Sequence, residues 1–523
     1  MKKALYAAAV LSIVLTGQPA LAADSIADLA RQVEELKDKL QALQRQLEAL
    51  SATQTKTDEA LAAEVEDRDT KERAARQANL EQGGRNVIEG GKVVMIPPAN
   101  PKVTESGTHR FAMSSADGNW SMAPTGRIHF DVGGFINQKA EGATGPGTPG
   151  SKLSSGVNAR RARLGITGKA MGDFTYTLIL DAGGGGGDAT AHINEARFGY
   201  TGMKDTIFEI GYGSQYFTLD EATSSNDIMF LERSTPATLA SNFNAGDPRG
   251  AAGVRTWGTN WWFGAYLTSS APNVAHSLTK RGFGAYERLT YNVVQSDLAT
   301  VHLGIAGAQV FQIPNTGPGT AASFTMADRP ENRIDGTQLL STGALGTIAN
   351  PVTGVEVYNA EAAATFDNFY THGEYFRYVV ARLGKPAAQF DGVYGQVSYT
   401  IGGRRVYTPA TGAYSGVNPI TPFSPKNGGW GAFEFAARLS YADLIDHYTS
   451  ALPAAAQPFM VNGGRQTNLT LGLNWFWNSN MLVKLNYIHT NIDKANPVTV
   501  PGGTPIGAGL ALDAVVARFQ AMF

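Results

Sequence analysis

From about Gly126 to the C-terminus, apolar and polar side chains alternate with a period of two in segments of roughly ten residues, separated by Gly, Asn, Asp and Pro. That period sends successive side chains to opposite faces of a strand. Segments of this length suit a transmembrane β-strand, apolar toward lipid and polar toward a water-filled interior. In 127–136, Ile128, Phe130, Val132 and Ile136 share one face, and Arg127, His129 and Asp131 the other. Further along, Arg161, Arg163 and Thr167 oppose Ala162, Leu164 and Ile166. Leu469, Leu471, Leu473, Trp475 and Trp477 oppose Asn468, Thr470 and Asn474; Met481, Val483, Leu485 and Tyr487 then oppose Lys484 and Asn486. Candidates at 172–182, 190–201, 205–216, 250–259, 261–270, 283–294, 299–311, 354–367, 368–381, 389–402, 430–442 and 511–523 bring the count to sixteen. An even number is what an antiparallel outer-membrane barrel requires. The pattern therefore predicts an all-β transmembrane barrel of 16 antiparallel strands over 126–523. The long intervals 312–353, 403–429 and 443–465 are expected to be extracellular loops, and the tight turn Trp477-Asn478-Ser479-Asn480 periplasmic.

The strand ends are crowded with rings, as in Trp257, Trp261, Trp262, Trp475, Phe476 and Trp477. Such rings are stable at the lipid–water boundary, where these barrels carry aromatic girdles. The last strand puts Val515, Ala517, Phe519, Ala521 and Phe523 on one face. A terminal aromatic on an alternating strand resembles the signal that outer-membrane assembly machinery reads.

A different period governs the N-terminal region. Met1-Lys2-Lys3, the apolar run Ala4 to Thr16 and the small residues Ala20 and Ala22 have the parts of a secretory signal peptide, expected over 1–22. Ile26, Leu29, Val33, Leu36, Leu40, Leu43, Leu47 and Leu50 then alternate in steps of three and four, the seam of a short α-helical coiled coil. An amphipathic helix packed on its own domain would show a similar stripe. The coiled coil and its helical extension are expected over 23–82 in the periplasm, where they would staple an oligomer or contact the cell wall. Gly83-Gly84, Gly90-Gly91 and the prolines Pro97, Pro98 and Pro101 mark 83–125 as a linker.

Composition narrows the function. A net charge of −2 offers no concentrated basic face, so nucleic acid is not an expected partner. The absence of cysteine excludes disulfide and thiol chemistry. No G-x-S-x-G elbow, H-E-x-x-H helix or Walker loop is present, so neither enzymatic activity nor a cofactor is expected. Gly183 to Gly187 has no Lys-Ser/Thr after it and is expected to be a flexible turn. His372 and Glu374 share a strand face that could bind a metal, although a polar lumen uses such a pair equally well. An outer-membrane barrel enzyme such as a lipase would need a Ser-His-Asp set at its rim, and an adhesin or tether would rely on the coiled coil and long loops.

A passive pore selects by radius and by the sign of its lining charges. Arginine favours anions because its planar fork pairs with phosphate or carboxylate oxygens and stays charged. Alternation sends Arg161, Arg163, Arg197, Arg288, Arg438, Lys484 and Arg518 inward, but also Asp131, Asp181, Glu195, Glu209 and Glu434. Such a mixed lining is either a transverse field or a set of bracing salt bridges. The polar segment Phe217 to Arg233, which follows the strand beginning at Ile207, is expected to fold inward and narrow the pore.

Several motifs carry a family resemblance: Arg160-Arg161-Ala162-Arg163, Asn194-Glu195-Ala196, Ser224 to Ser234, Gly373-Glu374-Tyr375-Phe376-Arg377, Gly472-Leu473-Asn474-Trp475, Lys484-Leu485-Asn486-Tyr487 and Arg518-Phe519-Gln520. Together they make 160–523 similar to the outer-membrane porin O/P family, the phosphate- and polyphosphate-selective porins. The resemblance implies a homotrimer of sixteen-stranded barrels, a third loop folded into each pore, and passive transport of small anions. Ser224 and Ser225 match the family's serine pair, and Arg233 its following arginine. Where selective members carry a lysine this chain has Glu221, which implies a repulsive anion at the narrowest point and weak or mixed selectivity.

Overall fold

The computed structural model describes 109–523 except 141–143, 146–147, 150–152, 185–190, 244–247, 270–280, 316, 318, 449–456 and 494–509. Before residue 109 it describes the strands Arg85–Glu89, Lys92–Ile96 and Lys102–Ser106, a helical run at 63–75 and other helical positions between 34 and 77. The expected signal peptide and every residue of the heptad seam lie outside the described residues.

The alternating segments form β1 (Ser121–Ala140), β2 (Gly156–Ala170), β3 (Phe174–Asp181), β4 (His192–Met203), β5 (Thr206–Gly213), β6 (Arg249–Trp257), β7 (Trp261–Ser269) and β8 (Phe283–Gln295). They continue as β9 (Ala299–Gln312), β10 (Val352–Phe366), β11 (Phe369–Arg382), β12 (Lys385–Ile401), β13 (Ala432–Asp446), β14 (Val461–Phe476), β15 (Met481–Asp493) and β16 (Leu510–Met522). Each pairs antiparallel with the next, and β16 returns to β1 from Leu510 against Ala140 to Met522 against Arg127, so the sixteen-stranded barrel closes as expected. Closure leaves no unpaired edge, which is what allows a sheet to cross lipid. On β12 the period is visible directly: Val393, Val397, Tyr399 and Ile401 face out and exposed, whereas Phe390, Tyr394, Gln396 and Ser398 face in and are buried.

The stretch 83–125, expected to be a linker, instead carries strands, because Val87-Ile88 and Val93-Val94-Met95-Ile96 supply residues that favour extended backbone. Arg85–Glu89 pairs with Lys92–Ile96. Within the barrel unit, Lys102–Ser106 pairs with His109–Ser114, which joins β1 at Met113 and Met122.

Connections after even-numbered strands are tight, with Met171, Asp205 and Asp367 in left-handed backbone (φ 53°, 50° and 51°). One is not. The strap 402–431 between β12 and β13 lies at the tight-turn end, where Phe423 N donates to Trp477 O of the β14–β15 turn at 2.6 Å. This corrects the expectation that 403–429 is an extracellular loop: an even number of strands precedes it, so the chain has returned to the end from which β1 started. At the opposite end lie the third connection, L3 (214–248), and the fifth, L5 (313–351).

L3 contains two short helices, α1 (Leu219–Ala222), capped by Thr218, and α2 (Thr235–Ser241), capped by Ser234 with Pro236 in its first turn. Its apolar side packs onto inward residues of β7 to β13. Phe217, Leu239, Ala240 and Phe243 of L3 and Met326 and Leu340 of L5 meet Tyr266, Tyr286, Val310, Val357, Phe376, Tyr378 and Phe390. Each such buried side chain stabilises by about 1.5–3 kcal/mol, which fixes L3 against that side of the lumen.

Candidate functional site

The space left open lies against β1 to β5. A cavity of about 750 Å³ is bordered there by seven arginines: Arg127, Arg160, Arg161, Arg163, Arg197, Arg233 and Arg333. Toward the long-loop end it meets a cavity of about 450 Å³ with Asn158, Arg329 and Ile334; Arg160, Gly184 and Arg333 border both. Toward the tight-turn end Arg127 also borders a third cavity, about 310 Å³, with Asn226, Asp227 and residues 415–418 of the strap.

Backbone register explains how so many arginines converge. Arg127 on β1 stands opposite Arg163 on β2, and the like charges are drawn to different partners. Arg163 Nε pairs with Asp181 Oδ2 at 2.7 Å, and Arg127 Nη1 donates to Ser225 Oγ at 2.9 Å. Between these strands the register shifts: His129 faces Arg161 but Phe130 faces Ala159, leaving Arg160 as an inserted residue. Such a bulge lets neighbouring residues point the same way, so Arg160 and Arg161 both border the cavity. Arg160 grips Glu232 of L3 with two bonds of 2.8 and 3.0 Å. Arg161, only 6% exposed, contacts His129 Nδ1 at 3.3 Å. Among the described residues, neither Arg127 nor Arg161 has a carboxylate within salt-bridge distance.

The expected residues Glu195 and Arg197 lie together on β4, 3.4 Å apart, with Arg197 also 3.6 Å from Glu209 and donating to Tyr216 Oη at 3.3 Å. On L3, Ser224 is exposed toward the cavity, whereas Ser225 is buried beneath Arg127. Arg233 Nη2 donates to the carbonyls of Glu221 and Thr223 at 3.3 and 3.0 Å, bracing the turn that carries the serines. Glu221 borders the cavity, but its carboxylate lies 2.7 Å from Arg249 and both side chains are buried. The repulsive anion expected at this position thus has a cation beside it, 28 residues along the chain.

Arg288, Arg438, Lys484 and Arg518 face inward as alternation predicts, yet none borders these three cavities. L3, L5 and the strap cover them. Arg288 pairs with Glu361 at 2.8 Å and donates to Gly412 O at 2.7 Å. Arg438 contacts Glu331 of L5, Lys484 donates to Ile228 O, and Arg518 joins Asp131 (2.6 Å) to Glu232 (2.8 Å). Burial alone would raise the Glu232 carboxyl; Arg160, Arg161, Arg518 and Arg333 outweigh it and hold the group well below the usual carboxylate range. Asp227 is pushed the other way, because burial outweighs the nearby Arg405, Lys484 and Arg127.

His372 and Glu374 each have partners in the protein. Glu374 accepts from Leu219 N and Asp220 N at 3.0 and 3.2 Å, anchoring the start of α1, and His372 Nε2 meets Tyr394 Oη at 3.1 Å. No group of three metal-ligating side chains occurs among the described residues.

Sequence reasoning missed Arg160, Arg249, Arg333 and Arg405. Alternation assigns Arg160 outward, and only the bulge reverses it. The other three belong to or adjoin long connections, where no period assigns a direction.

No curated protein matches the sequence. Among solved structures, the chain is similar to OmpT of Vibrio cholerae in its trimer form (9% identity, covering 77% of this chain and 99% of that one, TM-score 0.45). It is also similar to the outer membrane channel DcaP of Acinetobacter baumannii (10% identity, 78% and 99% covered, TM-score 0.43) and to an anion-selective porin from Comamonas acidovorans (13%, 77% and 100%, TM-score 0.43). The profile of the phosphate-selective porins O and P matches residues 124–523. With most of its length matched and its sixteen strands closed, the chain belongs to the phosphate-selective porin O and P family, an outer-membrane barrel.

Proposed function

We propose that the protein is a passive channel for small anions, phosphate among them, in which L3 forms the constriction and the arginines of β1 and β2 form the path. The observation that carries this reading is that Arg127 and Arg161 border the middle one of three cavities that share lining residues, and have no carboxylate within salt-bridge distance among the described residues. Unneutralised guanidiniums in a confined, partly desolvated passage favour anions and disfavour cations. Short turns face the periplasm in such barrels, so solute would enter past Arg329 and Arg333 and leave through the cavity beside Arg127, Asn226 and Asn418. The neutralisation of Glu221 supports anion preference rather than the mixed selectivity implied by its sequence position.

A homotrimer in outer-membrane lipid, stapled or tethered to the cell wall by the coiled coil, completes the proposal. Deleting Ile26 to Leu50 should weaken trimer stability or cell-wall association; no change in either would count against that role. Ion current across planar bilayers separates a channel from a barrel enzyme or a tether, and a native protein carrying no current would refute the channel.

A further inference from the structure

Arg405 of the strap is buried and bonded in three directions. Its Nε and Nη2 pair with both oxygens of Glu434 on β13, at 2.6 and 2.9 Å. Its Nη1 donates to Asp227 O of L3 at 2.6 Å and to Ser415 O of the strap at 3.2 Å. Glu434 is itself held by Ser398 of β12 and Asn474 of β14, at 2.9 and 2.8 Å, and Asn474 also donates to Met229 O of L3. One guanidinium thus joins the barrel wall to two segments that enter the lumen from opposite ends. Beyond this joint, Asp227 and Gly416 border the cavity nearest the tight-turn end.

We propose that Arg405 is a positioning residue for permeation, pinning the strap to L3 so that Asp227 and Gly416 stay in contact beside the inner mouth; this rests on the reading of the cavities as an ion path. Arg405 does not border that path. It acts through the two segments whose backbones it holds.

The test exploits a chain without cysteine. A Cβ on Gly416 would stand 3.5 Å from the Asp227 Cβ, a spacing a disulfide accepts. Asp227→Cys/Gly416→Cys is prepared in the otherwise native chain, disulfide formation is followed by gel mobility, and current is recorded in planar bilayers. With Arg405 present, the disulfide should form readily and leave the current unchanged between reduced and oxidised forms. With Arg405→Ala added, it should form slowly, the reduced channel should lose its steady open current, and oxidation should restore it. Because that substitution strands a buried Glu434, the series is repeated with Arg405→Ala/Glu434→Gln, for which the same outcomes are expected. Unchanged disulfide formation without Arg405, a steady reduced channel, or a disulfide that blocks current in the presence of Arg405 would each overturn the proposal. If the native protein carries no current, the channel reading fails on its own, and the disulfide rates still decide whether Arg405 holds the contact between the strap and L3.

Discussion

The two sides of the lumen are built from the same residue types and use them in opposite ways. On β8, β13 and β16, Arg288, Arg438 and Arg518 are buried against Glu361, Glu331 and Asp131, each also donating to a backbone carbonyl of L3 or the strap. On β1 and β2, Arg127 and Arg161 border the open cavity, with no carboxylate within salt-bridge distance among the described residues. The difference teaches that pointing inward is not the same as lining the path. L3, L5 and the strap decide which inward cations are covered, and L3 lies where its apolar side chains find the aromatic faces of β7 to β12.

The comparison breaks most visibly on the covered side. Arg518→Ala leaves Asp131 buried without its cation, while Glu232 keeps Arg160; stranding a buried charge costs about 3–5 kcal/mol, and a large fall in the urea midpoint of unfolding in detergent is expected. Ion preference in the surviving barrels should change little by comparison. On the open side the expectation reverses. Arg127→Gln/Arg161→Gln should leave the urea midpoint near native while lowering the anion-to-cation permeability ratio by about five-fold, taking about 0.5 kcal/mol per charge as the screened difference between anion and cation.

Between these extremes stands Glu221, which touches both sides. Glu221→Lys would set a second cation against buried Arg249, so a loosened L3 and a noisy current are expected. A clean gain in anion preference would show instead that the native carboxylate is open to the path. The smallest effect concerns acid. The carboxyl of Glu232 is depressed by its surrounding arginines, so its contribution to holding L3 is complete above the ordinary carboxylate pKa and is lost only as pH falls through the depressed value. Current steadiness should therefore hold from neutral pH through mild acid and decline only below the usual carboxylate range; a decline already in mild acid would contradict the assignment.

Most of the wall was legible because its period is imposed by lipid on one face and water on the other. Segments such as 467–477 and 511–523 announce themselves, whereas the alternation is blurred near 250 and near 368, where strands form all the same. The site was only partly legible. Arg161, Arg163 and Arg197 followed from the period, whereas Arg160 depended on a one-residue bulge opposite His129 and Phe130, and a slip of one residue reverses every side chain beyond it. The pairing of Glu221 with Arg249 and of Arg405 with Glu434 spans residues that no local pattern connects. The strap was misplaced because its length resembles an outer loop, and only counting strands puts it at the other end.

The central claim is that the open path is the arginine side, and the reversal potential of the native channel in a KCl gradient tests it most directly. A potential of the sign set by chloride, reduced in Arg127→Gln/Arg161→Gln, is the predicted result. A potential of the sign set by potassium, or one that the double substitution leaves untouched, would contradict it.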